Sequence, residues 1–151
     1  MKLAVMMLPL SFAASVSAAD VSTTFPPSPD RMQIARTAIA EKQWPRAITA
    51  LTQTVREDSR NADAHNLLAY SYRKSSPANL AKAFQHYGIA LKLDPNHRGA
   101  HEYIGEAYLM DKKPTKAEEH LARLQQICGN TTCEEYEDLA KAIAEYKGVK
   151  P

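Results

Sequence analysis

The sequence predicts an all-α fold built from repeated helix pairs. Apolar residues recur three or four positions apart, which is the spacing of one face of an α-helix. After residue 30 strong helix breakers are few and include Pro77, Pro95, Pro114 and the Gly129-Asn130 pair. One pattern of bulky, small and aromatic residues also returns three times. Its alanines at Ala47, Ala83 and Ala117 are 36 and 34 residues apart, which indicates a structural repeat.

Composition and charge exclude several classes of protein. With 44% apolar and 24% charged residues, the 151-residue chain has the balance of one globular domain and not of a disordered segment. Its net charge of +2 is nearly balanced, and no long block of like charge is present. Binding to nucleic acid or to an anionic membrane surface is therefore not indicated.

Residues 1–19 have the organisation of a secretory signal peptide. Lys2 precedes an apolar run from Leu3 to Ala14 that is too short to span a bilayer, and small residues follow. Cleavage after Ala18 or after Ala19 fits the pattern, and a retained membrane anchor is the alternative. We therefore expect the mature protein to be periplasmic or secreted, with no membrane span.

Residues 20–29 separate this segment from the helical domain. They read DVSTTFPPSP, with three prolines, four serines or threonines and little to bury. Such a composition is typical of an extended linker. The helical domain is therefore expected to span residues 30–147.

The repeated pattern runs through the domain in three copies. Each copy places a bulky residue, a bulky–small pair and an aromatic residue on one helix, then an alanine and a bulky residue on the next. The central copy comprises His65, Leu68, Ala69, Tyr72, Ala83 and Tyr87. The third copy comprises His101, Ile104, Gly105, Tyr108, Ala117 and Leu121. The first copy is degenerate in its first helix and regular in its second, at Trp44, Ala47 and Leu51.

This pattern resembles the tetratricopeptide repeat (TPR), and the resemblance covers residues 30–126. The three copies occupy about residues 30–60, 62–96 and 98–127. The resemblance implies a right-handed α-solenoid of three helix pairs, in which each pair buries its apolar face against the next. It also implies a module for protein–protein interaction and not an enzyme.

A seventh helix is predicted at about residues 133–147, as the cap of this stack. Charged residues occupy one of its faces, and its apolar stripe consists of Tyr136, Leu139, Ala140, Ile143 and Tyr146. A terminal helix of this kind covers the last repeat and leaves its charged face in solvent.

Cys128 and Cys133 flank the turn before the capping helix. In an exported chain, a close and even pair of cysteines favours a disulfide. A redox-active pair is less favoured, because the spacing differs from the Cys-x-x-Cys arrangement that lowers the pKa of a thiol. Two thiolates alone also form a poor zinc site.

Neither a catalytic site nor a metal site is indicated. His97 and His101 have the i, i+4 spacing that can present two imidazoles to one metal ion. However, His65 and His101 occupy equivalent repeat positions, as do His86 and His120, which favours a role in the architecture. The sequence contains no nucleophile–base motif, glycine-rich phosphate loop or metalloprotease motif. No enzyme activity and no cofactor are therefore expected.

The resemblance to TPR proteins implies a partner-binding groove on the first helices of the repeats. A second, polar stripe on these helices lies opposite the core residues, at about 100 degrees of helix rotation per residue. The candidate binding residues on this stripe are Arg36, Asn66, Tyr70, Arg73, Lys74, Glu102 and Glu106. We expect a split groove, with positive charge on the first two repeats, negative charge on the third, and Tyr70 as an aromatic anchor outside the core. The two glutamates argue against a basic clamp for acidic chain ends.

Three functions are compatible with this sequence, and an adaptor is favoured. The adaptor would bind a segment of another exported or envelope protein in its inner groove. A metal- or redox-handling accessory protein and a self-associating component of an envelope-assembly complex are the alternatives. The sequence names neither the partner nor the oligomeric state.

Overall fold

Seven α-helices follow one another in the computed structural model, which describes residues 28–148. Their bounds are α1 Ser28–Ala40, α2 Trp44–Glu57, α3 Ala62–Lys74, α4 Leu80–Leu93, α5 Arg98–Met110, α6 Pro114–Cys128 and α7 Glu134–Tyr146. No strand occurs among the described residues. The prediction of an all-α fold with three helix pairs and a terminal helix is confirmed for this part of the chain.

The first helix begins earlier than the sequence predicts. α1 starts at Ser28, inside the segment that was expected to be a linker. Pro29 is compatible with this start, because the first turn of a helix does not need the N–H that proline lacks. The predicted signal peptide and the rest of the predicted linker, residues 1–27, lie outside the described residues.

The turns inside the first and third helix pairs are copies of each other. Lys42 and Lys112 adopt left-handed conformations, at φ 56° and 58°, and the residue after each donates its N–H to a carbonyl five residues earlier. The second pair has a loop that is two residues longer and closes with the Asn79 N–H on the Tyr72 carbonyl, at 2.9 Å. Asn79 also caps α4 by accepting from the Lys82 N–H at 3.1 Å. This longer loop explains why the first repeat spacing is 36 and the second is 34.

The hydrophobic core is continuous along the stack, because each helix pair packs on the first helix of the next. One buried cluster joins α1, α2 and α3, the second joins α3, α4 and α5, and the third joins α5, α6 and α7. The largest fully buried apolar side chains in these clusters are Leu51, Leu68, Tyr87, Leu124 and Leu139. Each pair therefore depends on its neighbour for a buried apolar face.

Gly105 allows the capping helix to approach α5 closely. A Cβ atom at Gly105 would lie only 2.6 Å from Cδ2 of Leu139, whose side chain is fully buried. A larger residue at position 105 would push α7 away from the third repeat. α7 thus covers the end of the core, as predicted for a cap.

The first helices of the second and third repeats form one surface together with α7. α3 contacts α5 directly and α5 contacts α7, so these helices lie side by side. We call this surface the inner groove, and on α3 and α5 it comprises Asn66, Tyr70, Arg73, Lys74, Glu102, Tyr103 and Glu106. Within residues 28–148, no helix has the length and apolar character needed to cross a bilayer.

Candidate partner-binding groove

A row of three aromatic rings crosses the inner groove. Trp44, at the start of α2, meets Tyr70 of α3 edge to face, with ring centroids 6.1 Å apart. Tyr70 also lies against Tyr103 of α5, at a centroid distance of 4.7 Å. All three side chains are partly exposed. The row therefore combines rings fixed by their neighbours with a free surface, a combination that suits an anchor for a partner side chain.

Arg73 of α3 contacts both tyrosines of this row and also pairs with a carboxylate of α5. Its guanidinium carbon lies 5.3 Å from the ring centroid of Tyr70 and 5.7 Å from that of Tyr103, both within the range of a cation–π contact. The same guanidinium forms an ion pair with Glu106 of α5 at 2.5 Å. Arg73 is only 5% exposed, so its charge is neutralised within the protein. The positive charge expected at Arg73 is therefore engaged by Glu106 in this structure, and a binding role for Arg73 stays a prediction.

Asn66 and Glu102 are buried polar side chains of the inner groove. They occupy equivalent positions on α3 and α5, and their exposed fractions are 5% and 7%. The Oδ1 atom of Asn66 accepts no hydrogen bond from the described part of the chain. Burial, followed by repulsion from Glu106, Asp138 and Glu135, raises the pKa of Glu102 to about 8. The groove thus contains an unpaired acceptor and a carboxyl group that is costly to ionise.

Lys74 and Arg36 occupy different places from the other candidates. Lys74 is exposed at the end of α3, and its Nζ atom lies 6.0 Å from the Tyr70 ring centroid. Arg36 is exposed on α1, and no ion pair or hydrogen bond joins it to the described groove residues. The structure therefore brings together the five remaining candidates on α3 and α5, leaves Lys74 at their edge and does not place Arg36 in contact with them. A binding role for all seven stays a prediction.

The sequence places this chain in a known family. The profile of the family described as tetratricopeptide repeat matches residues 32–78 and 78–130. The chain belongs to the tetratricopeptide repeat family. No curated protein sequence matches it.

Solved TPR domains share this fold at low sequence identity. The TPR2B domain of yeast Sti1, in its complex with pHsp70, has a TM-score of 0.71 at 16% identity, over 80% of this chain and 96% of that one. The TPR domain of Arabidopsis OM64 has a TM-score of 0.69 at 16% identity, over 79% and 95% of the two chains. The first TPR domain of human RPAP3 has a TM-score of 0.66 at 16% identity, over 82% and 97%. At this identity the likeness shows the fold alone.

Two members of the aromatic row, Trp44 and Tyr103, were not among the binding residues predicted from the sequence. Tyr103 stands three residues before Glu106, so helical spacing alone could have placed the two on one face. Trp44 gave no such signal, because its contact with Tyr70 depends on how α2 packs against α3. Tyr70 was expected outside the core, and it belongs to none of the three buried clusters, although it is partly buried between the other two rings.

Four histidines form two pairs inside the second and third TPRs, and we call these pairs the histidine seam. The Nδ1 atoms of His65 and His86 are 3.0 Å apart, and those of His101 and His120 are 2.8 Å apart. The Nε2 atoms of His65 and His101 each face a backbone carbonyl. Because a carbonyl only accepts, these Nε2 atoms carry protons, and each neutral ring accepts at Nδ1 from its partner. Burial lowers the pKa of all four histidines, that of His120 to about 4.

His97 and His101 do not face a shared metal position. The Nε2 atom of His97 lies 3.0 Å from Oδ1 of Asp63. Its Nδ1 atom accepts from the Ala100 N–H at 3.2 Å and thereby caps α5. Both nitrogens of His101 are engaged in the seam. The i, i+4 spacing therefore serves the start of α5, and not one metal ion, in this structure.

Cys128 and Cys133 lie side by side at the turn between α6 and α7. Their Sγ atoms are 2.05 Å apart and their Cα atoms 6.3 Å apart. Glu135 joins them in the one trio of possible metal ligands within residues 28–148. Since sulfurs joined in a disulfide offer no thiolate to a metal ion, the disulfide and metal alternatives exclude each other. Thiol labelling of oxidised protein should detect no free cysteine, and two free thiols would contradict the disulfide.

Proposed function

We propose that this TPR protein is a non-enzymatic adaptor that holds an extended segment of a partner protein in its inner groove. The observation that carries this proposal is the partly exposed row of Trp44, Tyr70 and Tyr103, together with the buried side chains Asn66 and Glu102 on the same two inner helices. A buried acceptor without a donor costs free energy, which the N–H groups of a partner would offset. Rings that are already fixed also bind with little loss of conformational entropy.

Membership of the TPR family supports this proposal. Stacked helix pairs form an extended surface for protein–protein interaction. The yeast Sti1 domain that shares this fold was solved in a complex with pHsp70, which supports a partner-binding role for the same architecture here. The identity of the partner is a separate matter, since a shared fold does not fix a shared ligand.

We further propose that the adaptor acts in the periplasm or outside the cell, after removal of residues 1–19. The apolar run that follows Lys2 supports export, and a bond between Cys128 and Cys133 would suit an oxidising compartment. N-terminal sequencing of the mature protein should show a start at Ala19 or Asp20. Finding Met1 on membrane-bound mature protein would contradict export with cleavage.

Capture of the partner from an envelope extract tests the groove. Tyr70→Ala should weaken binding by about 1 to 3 kcal/mol, because it removes an aromatic anchor. Gln85→Ala is a matched control on an exposed position of α4, and it should bind as the wild type does. Because Tyr70 packs between two rings, Tyr70→Ala is also expected to lower stability, so capture is done well below its melting temperature. Equal recovery with all three proteins would show that the partner binds elsewhere.

A further inference from the structure

Two side chains of the inner groove present acceptor atoms that lack hydrogen-bond donors. The Oδ1 atom of Asn66 is buried, and no described residue donates to it. Glu102 is 7% exposed, and its carboxyl group has no hydrogen bond or ion pair within residues 28–148. Arg73 is the cation that acts on it, and Arg73 already forms an ion pair with Glu106. Both side chains thus leave acceptor capacity for a group from outside the chain.

The amide of Asn66 also lies on the side of α5 from which Glu102 projects. A Cβ atom at Gly99, in the first turn of α5, would lie 3.3 Å from Nδ2 of Asn66. The amide of Asn66 therefore lies against that turn. Glu102 is three residues after Gly99, so it projects from the same face of α5 one turn later.

The charges around this position favour a cation. Glu106 lies on the same helix as Glu102, and Glu135 and Asp138 of α7 also act on its carboxyl group. Glu106 is paired with Arg73, and Glu135 lies 3.4 Å from Arg98. Two arginines thus face four carboxyl groups, and Glu102 and Asp138 remain without an ion-pair partner in the described part of the chain. Tyr70 and Tyr103 also lie nearby, and burial raises the pKa of both, so they stay neutral. The His97 ring, whose Nε2 atom lies 3.0 Å from Oδ1 of Asp63, adjoins the same Gly99 turn as the Asn66 amide.

We propose that the groove selects a basic residue of its partner, lysine or arginine, and holds its cationic head between the Asn66 amide oxygen and the Glu102 carboxylate. This inference rests on the proposed adaptor function. An ammonium or guanidinium group carries only donors, which match two acceptor side chains. The neighbouring ring of Tyr103 can cover the apolar stem of such a side chain. An acidic segment would meet unpaired carboxylates at the same position.

Binding of a cation should be linked to the protonation of Glu102. The free protein keeps this carboxyl group protonated in much of its population below its pKa of about 8. A bound cation favours the ionised form and lowers that pKa. A proton is then released on binding, so the affinity for a basic segment should rise with pH and level off above about 8.

Fluorescence of Trp44, the one tryptophan of the chain, provides the measurement, because its ring contacts Tyr70 in the groove. The probes are three pools of short peptides, blocked at both ends and uncharged except for one central residue, which is lysine, glutamine or glutamate. We expect the lysine pool to bind about tenfold more tightly than the glutamine pool, as a charge-assisted pair allows. The glutamate pool should bind most weakly.

The variant Glu102→Gln should remove this preference and its pH dependence while the glutamine pool still binds. The matched control is Glu119→Gln, which removes an exposed carboxylate from α6 and should keep the preference intact. Equal binding of all pools, lost in Tyr70→Ala, would overturn the basic preference and leave the adaptor function standing.

Three other outcomes would also overturn the inference. Tightest binding of the glutamate pool would reverse the proposed charge selection. A change in Trp44 fluorescence with protein concentration alone would show that a second copy of the chain occupies the groove. Failure of every pool to bind would count against the adaptor function itself as well as its selectivity.

Discussion

The histidine seam repeats itself from the second TPR to the third, whereas the inner groove changes at equivalent positions. The pair of His65 and His86 returns 36 and 34 residues later as His101 and His120, with the same hydrogen bonds to each other and to the backbone. In both repeats a tyrosine stacks on the second histidine, at centroid distances of 6.0 and 5.7 Å. The second and third repeats therefore pack their two helices through the same histidine and tyrosine contacts.

In the inner groove, equivalent positions of the second and third repeats carry different residues. Asn66 of α3 becomes Glu102 of α5, and Tyr70 becomes Glu106. Positions that repeat support the stack, which every helix pair requires. Positions that differ while remaining buried or ordered are free to match one partner. Under the proposed adaptor function, this contrast distinguishes the residues that support the stack from those that select a partner.

The largest predicted effect is a loss of folding stability in acid, caused by protonation of the histidine seam. The folded-state pKa values of the four histidines are lowered from 6.5 by burial, that of His120 to about 4. Below pH 6.5 the unfolded chain therefore binds more protons than the folded one, and stability falls as the pH drops. With allowance for partial exposure of the rings, the seam should lose about 3 kcal/mol between pH 6.5 and pH 4. Denaturant unfolding across this range measures the loss.

His120→Asn is the control for this effect. The asparagine amide can donate to His101 in place of Nδ1–H, and it cannot be protonated in this range. The variant should therefore lose less stability in acid than the wild type, although it also loses the stacking on Tyr108. The carboxylates and the other three histidines titrate in both proteins, so the difference between the two pH profiles isolates the contribution of His120. Parallel profiles would show that His120 does not limit acid stability.

The next largest effect is a change in folding stability caused by Glu102 of the inner groove. This contribution decreases as the pH rises, whereas that of the histidine seam decreases as the pH falls. The pKa of Glu102 is raised from 4.5 to about 8, so the folded state keeps a proton that the unfolded chain has released. The stability linked to this proton is present below pH 4.5 and is lost as the pH rises through about 8. Glu102→Gln avoids this loss and should be more stable than the wild type by about 2 kcal/mol near pH 9.

Thermal or denaturant unfolding at both ends of the range tests this expectation. The two proteins should be equally stable near pH 4.5, where Glu102 is neutral in both states for much of the population. Glu119→Gln should show no such gain, because that carboxylate is exposed. A variant that is more stable and yet binds a basic segment less well would mark Glu102 as retained for function. Lower stability of Glu102→Gln at high pH would show that the carboxylate supports the fold instead.

The sequence predicts the seam better than the groove for a physical reason. The equivalent positions of His65 and His101 can be read from the repeat spacing, because the same local contacts recur in each helix pair. The pairing of Arg73 with Glu106 depends instead on the approach of α5 to α3, and helix periodicity does not contain that distance. The same holds for Trp44, which reaches the groove from the start of an outer helix. Helix periodicity therefore does not predict the contacts that a side chain makes with residues of another helix pair.

The smallest effect is expected at the edge of the groove. Lys74 lies eight residues after Asn66 on α3, which corresponds to about 12 Å along the helix axis. At that distance two exposed unit charges interact by only about 0.3 kcal/mol in water, and physiological salt screens beyond about 8 Å. Lys74→Gln should therefore tighten binding of the lysine peptide pool by less than about twofold at low salt, and not measurably at physiological salt. A larger change that persists in high salt would place Lys74 in direct contact with the bound segment, and the cationic site would then extend along the whole of α3.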